Sequence, residues 1–356
     1  MRIGIDAREL CGRPTGVGRY LRGLLDEWAL AAYASAHEFV LYAPEPLGVE
    51  LDARRFPTRL VAGAGGSWWE QVSLPRRVAR DHLDLLFAPA YTAPLLSGVP
   101  SVVAIHDLSF VAHPEWFTTR EGIRRRWLAR QAALRARAVI TISEFSRREI
   151  VERFGVSESH VHVIPPGITA PERGPAECRQ PMVLYVGTIF NRRHVTDLVR
   201  AFAPIARERP DAVLEIVGDN RSFPYQDLEG AIANEGLSGR ANWRRYVDEP
   251  QLGALYGAAR AFAFLSEYEG LGLTPLEALA SGVPSVLLDT PVARESCGDA
   301  AIYVPAGNIP ATTRALNQLL FDDRLRARLF DAAAAVTARY NWPRAARDTL
   351  SVMERA

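Results

Sequence analysis

Glu269 and Glu277 stand on either side of Gly270-Leu271-Gly272 in the stretch EYEGLGLTPLEALASG, residues 267–282. The apolar run AFAFLS ends at Ser266, so 267–273 reads as the loop beyond a strand's carboxyl end. Glycines at 270 and 272 leave bare N–H groups there, and the helix that follows the loop adds a positive end, so the loop is suited to hold an anion. A carboxylate beside an anion is repelled by it and seeks hydroxyl groups instead. Anion donors flanked by two hydroxyl-seeking acids describe a ligand with a diphosphate in the middle, a sugar on one side and a ribose on the other. A plainer reading of Glu277 is a capping box: Thr274 as N-cap, Pro275 as the first helical residue and Glu277 at N3. That reading gives Glu269 nothing to do.

Other candidates sit at equivalent loops. Arg192 and Arg193, in GTIFNRRH, follow a strand run and offer guanidinium groups to a diphosphate leaving group. His106 and Asp107 close SVVAIHD, with a backbone-satisfied histidine as the structural alternative. Gly16-Val-Gly18 opens a helix after the first strand, but Leu21 occupies the third position of G-x-G-x-x-G, so the dinucleotide fingerprint fails and a glycine turn remains. There is no D-x-D and no metal-ligand spacing, so neither a metal nor another cofactor is expected.

These loops need strands to carry them. Runs apolar on both faces recur at 2–6, 38–43, 83–89, 101–107, 138–143 and 161–166, with helical patterns at 17–34, 67–81, 119–136 and 144–154. Such alternation predicts parallel sheets of βαβ units. Residues 165–181, with five prolines and two glycines, read as a linker. Strand runs resume at 183–187, 212–218, 241–247, 261–266, 285–289 and 301–304. The expectation is an α/β chain of two doubly wound domains facing across a cleft, with ligands beyond the strands' carboxyl ends. The domains span 1–168 and 182–340, and a terminal helix over 341–356 bends back to the first after YNWP.

The chain carries 42 basic residues, all arginine, against 41 acids, a net charge of +1 that gives no general pull toward nucleic acid. Cys11, Cys178 and Cys297 are far apart and expected as free thiols. No apolar run reaches the roughly 18 residues of a membrane span, so a cytoplasmic protein is expected. Residues 120–137 hold seven arginines with Trp127 and Leu128 on a helical pattern. They form either a solvated face or a surface resting on the anionic inner membrane. Trp68-Trp69 is either core or acceptor-facing.

The pattern E-G-x-G-L-x-x-L-E-A resembles the signature of family-4 retaining glycosyltransferases of the GT-B fold, which has two Rossmann-like domains. TGVGRYLRGLL, SWWEQVSLP, AIHDLSFVAHPEWF, VITISEFSRREI, YVDEPQLGALYGAARAFAFLS, ALASGVPSV and ARESCGDAAIYV extend the resemblance nearly end to end. It implies a donor site of Gly16, Arg192, Arg193, Tyr246, Val247, Glu269, Gly270, Gly272, Leu273, Thr274 and Glu277, with His106, Arg193 and Glu269 acting on the reaction. Arg-Arg stands where the family usually has Arg-Lys. The AIHDLSFVAHPEWF stretch resembles mannosyltransferases, which implies GDP-mannose as donor and a glycan or lipid-linked sugar as acceptor, in cell-surface polysaccharide assembly. UDP-glucose, UDP-N-acetylglucosamine and dTDP-rhamnose are the alternative donors. An epimerase on the same fold and a non-catalytic partner subunit are the other readings.

Overall fold

The structure, a computed structural model, describes residues 1–13, 16–63, 65–169 and 179–356. It divides into two compact units, Met1–Gly167 with Tyr340–Ala356, and Ile168–Arg339. Residues 170–178 of the 165–181 linker, Cys178 among them, lie outside the described residues.

Among the described residues the first unit carries a seven-stranded sheet of β1 (Arg2–Asp6), β2 (Glu38–Ala43), β3 (Thr58–Leu60), β4 (Leu85–Ala88), β5 (Ser101–Ala104), β6 (Ala138–Thr141) and β7 (Val161–Val163). Their order is β3-β2-β1-β4-β5-β6-β7. The second carries β8 (Gln180–Val186), β9 (Val213–Val217), β10 (Ala241–Arg244), β11 (Ala259–Phe264), β12 (Ser285–Leu288) and β13 (Ala301–Val304), ordered β10-β9-β8-β11-β12-β13. Every strand pairing in both sheets is parallel. In each sheet the order reverses beside the unit's first strand, between β1 and β4 and between β8 and β11. That switch point is where doubly wound sheets open a crevice for ligands. The doubly wound α/β architecture is thus built twice, once in each unit, with one topology.

Departures from the sequence expectation include β8 and the helix expected over 67–81. β8 begins at Gln180, inside the stretch read as a linker, although Pro181 lacks a ladder donor. The register with β11 shifts between Ala259 and Ala261, and this bulge is where a proline in a central strand is tolerated. The expected helix over 67–81 is instead a π-helix, Trp69–Ser73, running into a short α-helix, Leu74–Val78. It separates the tryptophan pair: Trp69 is buried and donates Nε1–H to the Val61 carbonyl at 2.7 Å, whereas Trp68 is 61% exposed.

The first unit's main core gathers Trp28, Phe39 and Phe87 under one face of its sheet, with Trp28 stacked on Phe39 at 5.2 Å. The terminal helix Trp342–Arg355 completes it with Ala345, Ala346, Leu350, Val352 and Met353. Full burial of side chains the size of Leu350 and Met353 stabilises by roughly 1.5–3 kcal/mol each. Trp28 Nε1–H donates to the Ala346 carbonyl at 2.9 Å. The Trp342 ring lies flat where glycine leaves room, since a Cβ at Gly23 or Gly167 would come within 2.6 or 2.2 Å of it. Among the described residues no helix is long and apolar enough to cross a membrane.

Candidate functional site

The β8–β11 switch point brings Arg193 and Glu269 of the second unit together. Arg193 ends a 3-10 turn, Asn191–Arg193, in the loop after β8, and Glu269 lies in the loop after β11. Arg193 donates Nε–H to Glu269 Oε1 at 3.0 Å, its Nη2 lies 2.9 Å from the same oxygen, and its Nη1 donates to the Thr188 carbonyl at 2.8 Å. The guanidinium also lies 4.9 Å over the Phe264 ring. Burial works against its charge, but the neighbouring Glu269 outweighs this and raises the pKa above the usual arginine value. Ser266 Oγ–H donates to Glu269 Oε1 at 2.8 Å, so the carboxylate is fixed from two sides. The diphosphate candidate and the sugar candidate are therefore bonded to each other.

The two loops are laced together nearby. Glu267 N–H donates to the Arg192 carbonyl at 3.0 Å, and His194 places Nε2 2.8 Å from Glu267 and Nδ1 3.2 Å from Asp197. Arg192 stacks over Phe190 at 4.3 Å. Close approach is made possible by two glycines with positive φ that sequence reading passed over. A Cβ at Gly187 would come within 2.9 Å of Arg193 Nη1, and one at Gly218 within 1.9 Å of the Gly187 carbonyl oxygen. Tyr185 lies beneath them with its hydroxyl on the Thr188 carbonyl, and burial pushes its pKa up to about 12.

The capping-box reading of Glu277 is corrected. The helix runs Leu273–Ala280, and its N-cap is Gly272 at φ 86°, with no side-chain cap. Gly272 adopts that left-handed conformation without penalty, which moves the helix start ahead of Thr274. Thr274 is then the second helical residue and Glu277 the fifth, past the N3 position that a capping box requires. Glu277 is 5% exposed. The first turn lacks intrahelical partners for the N–H groups of Leu273 and Thr274, while Pro275 has no N–H to satisfy. Gly270 sits in the same loop. Tyr246, 66% exposed, and buried Val247 follow β10, two strands from the arginine turn.

In the first unit, Gly16 opens the helix Gly16–Leu30, and a Cβ there would meet nothing within 4 Å. His106 lies just past β5, buried between the rings of Tyr20 at 4.8 Å and Tyr91 at 5.5 Å. Its Nε2–H donates to the Pro89 carbonyl at 2.8 Å, the backbone partner of the structural alternative. Burial lowers its pKa, so the ring is neutral with Nδ1 as its acceptor nitrogen. Asp107 accepts from the Tyr91 hydroxyl and from Ser109 N–H, both at 2.8 Å, and so orders its own loop.

A charge cluster at the end of β1 carried no sequence signal. Arg8 donates to Asp6 Oδ2 through Nε at 2.9 Å and Nη2 at 2.6 Å, and to Glu70 Oε2 through Nη1 at 3.1 Å. Burial raises the Asp6 pKa, with Arg8 opposing. Along the arginine-rich helix Thr119–Arg135, Arg125 is not part of a free basic face: it lies 4.9 Å over the rings of both Tyr91 and Phe110. Ile123 and Trp127 are exposed beside it.

Comparison with known proteins accounts for both units. Residues 14–172 match the model of Glycosyltransferase Family 4, and residues 170–336 that of Glycosyl transferases group 1. The chain is 27% identical over 294 residues to O-antigen chain mannosyltransferase B of Escherichia coli, covering 78% of this chain and 77% of that one. It is 26% identical over 369 residues to the GDP-mannose-dependent alpha-(1-6)-phosphatidylinositol monomannoside mannosyltransferase of Mycolicibacterium smegmatis, covering 93% and 92%. Among solved structures, Anabaena HepE in complex with UDP and glucose matches with a TM-score of 0.78 at 20% identity over 100% of both chains, a likeness of fold. With matched sequence models over both units and the same doubly wound sheet in each, the chain belongs to the family-4 glycosyltransferases of the GT-B fold.

Proposed function

We propose that the protein transfers mannose from GDP-mannose, with retention, to a sugar hydroxyl of a glycan or lipid-linked acceptor. The observation that carries this reading is the Arg193–Glu269 pair at the β8–β11 switch point, a cation for the leaving diphosphate beside a carboxylate for the sugar's hydroxyls. The mannosyltransferase relatives support the choice of sugar.

In this reading Arg192, Arg193 and the start of the Leu273–Ala280 helix receive the charge that grows on the departing diphosphate. Arrayed donors of this kind act most strongly when the charge is largest, in the transition state. Glu269 then turns from Arg193 to the mannose, Glu277 holds the ribose, and Tyr246 and Val247 border the base. Gly16 leaves the donor diphosphate unobstructed, and neutral His106 accepts a sugar hydroxyl at Nδ1. The leaving phosphate takes the acceptor's proton as the new glycosidic bond forms on the face it vacates. No metal takes part. The helix Thr119–Arg135, with exposed Ile123 and Trp127, rests on the anionic cytoplasmic face of the membrane.

A thermal-shift panel of GDP, UDP and dTDP tests the donor. GDP should stabilise by about 2.7 kcal/mol at a hundred times its dissociation constant. Stabilisation by UDP alone would transfer the reading to a UDP-sugar, and no response to any of the three would remove it. Activity should survive EDTA, and a requirement for added magnesium or manganese would refute the metal-free account.

A further inference from the structure

The loop after β9 is held unusually firmly for a segment that exposes aromatic rings. Asn191, beside the two arginines, accepts from Phe223 N–H at 2.7 Å through Oδ1 and donates to the Pro224 carbonyl at 3.2 Å through Nδ2. Asn220 Oδ1 accepts from the Ser222 hydroxyl at 2.7 Å, and its Nδ2 donates to the Gln226 carbonyl at 2.9 Å. Gln226 N–H returns to Ser222 Oγ at 2.8 Å. On this frame Phe223 is 90% and Tyr225 65% exposed. Fixing exposed rings in place gains nothing for the core.

Beside this loop an open cavity of about 360 Å³ separates the helices Val195–Glu208 and Leu228–Asn234. Its size falls within the roughly 300–1,000 Å³ of small-molecule sites, but those sites are mostly apolar. This one is lined by Thr196, Arg200, Gln226, Asp227, Asn234 and Glu235. Hydroxyl, amide and carboxylate groups in one hollow match a polyhydroxylated ligand. Gln226 lines the hollow and its Oε1 is buried without a hydrogen-bond partner, so a ligand hydroxyl reaches it once the side chain turns outward. The charge balance disfavours anions: Arg200 already donates to Asp197 at 3.1 Å and Glu235 pairs with Arg207 at 3.7 Å, while Asp227, the N-cap of the second helix, adds a negative charge.

We propose that this groove is a second carbohydrate site, which holds one unit of a neutral oligosaccharide while Tyr225, next to Gln226, stacks on the adjoining unit. Thr196 lies three residues beyond Arg193 on the helix that leaves the arginine turn. A glycan seated here is therefore tethered beside the reaction centre, which raises its effective concentration for repeated transfer. The proposal rests on the glycan-acceptor reading above.

The test is calorimetric titration of the full chain with α-mannotriose, alone and with saturating GDP, and with a galacturonate trisaccharide as the anionic control. Mannotriose should bind with and without GDP, and the uronate should not. Tyr225→Ala and Asn234→Ala should each raise the mannotriose Kd at least tenfold, with donor hydrolysis and melting temperature unchanged. Absence of mannotriose binding, its displacement by GDP, equal binding of the uronate, or unchanged Kd in both variants would each overturn the proposal. Failure of the donor reading shows separately, as a missing nucleotide thermal shift, because the titration without GDP needs no nucleotide.

Discussion

Replacing Glu269 by Gln removes a charge but keeps the shape of the side chain, and the Arg193–Glu269 pair makes its consequences calculable. Glu269 Oε1 receives two arginine nitrogens and one serine hydroxyl, and the two side chains are 14% and 20% exposed. Hydrogen bonds to charged groups contribute about 1.5–3 kcal/mol. Partial solvent access and the acceptor oxygen that glutamine retains reduce this to about 1–2 kcal/mol. For a unit of this size each kcal/mol shifts Tm by about 2–4 °C, so the unliganded variant should melt about 2–8 °C lower. Nucleotide binding should move the other way. Once the carboxylate is neutral, Arg193 has no anionic partner to leave and the diphosphate meets no like charge, so GDP should bind about tenfold tighter, worth ~1.4 kcal/mol. Transfer should nonetheless slow, because the sugar loses its charged acceptor. Scanning calorimetry and GDP titration of wild type and variant measure both signs. An unchanged Tm together with unchanged or weaker GDP binding would show that the pair neither stabilises the fold nor competes with the ligand.

Arg193→Ala should lower kcat by about 10²-fold, equivalent to ~2.7 kcal/mol, and near-normal turnover at saturating donor would leave it an ordinary structural arginine. Glu277→Gln should raise the donor KM several-fold while Tm moves little, since the amide keeps the shape of the side chain; a lower Tm with normal KM would assign it to packing. Arg8→Ala strands the buried carboxylates of Asp6 and Glu70 and should cost about 3–5 kcal/mol in urea unfolding, whereas a loss below ~1 kcal/mol would mean that the cluster relaxes. His106 has a folded pKa below its unfolded value near 6.5, so under acid the unfolded chain takes up a proton that the folded ring refuses. Stability should be level above pH 6.5 and fall below it, with a shallower fall in His106→Gln; identical slopes would remove His106 as the cause.

Both sheets were legible because parallel strands buried on both faces leave uninterrupted apolar runs. RIGID, EFVLYA and AIYV were delimited as they fold, at Arg2–Asp6, Glu38–Ala43 and Ala301–Val304. β3 was not, because all three of its residues are exposed at the sheet edge and carry no apolar run. Thr-Pro-Leu-Glu misled at the Leu273–Ala280 helix, since the pattern of a capping box does not show that a preceding glycine can turn left-handed and start the helix earlier. Arg193 and Glu269 could each be picked out from their loops, but not their bond to one another across 76 positions. Nor could the Asp6–Arg8–Glu70 cluster be found, as its members share no spacing and meet only because a π-helix delivers Glu70.

The terminal helix Trp342–Arg355 has a consequence for how the chain is made. Its residues close the core beneath Trp28 and press a tryptophan between Gly23 and Gly167, yet the ribosome adds them only after all of Ile168–Arg339. The unit that begins synthesis is thus the later of the two to finish folding. While it waits, the apolar surface around Trp28 and Leu24 lacks its cover, and the nascent chain is open to chaperones and to aggregation during that interval. A stop codon or frameshift near Tyr340 would spare Arg193, Glu269 and Glu277 and still leave the first unit's core without Tyr340–Ala356.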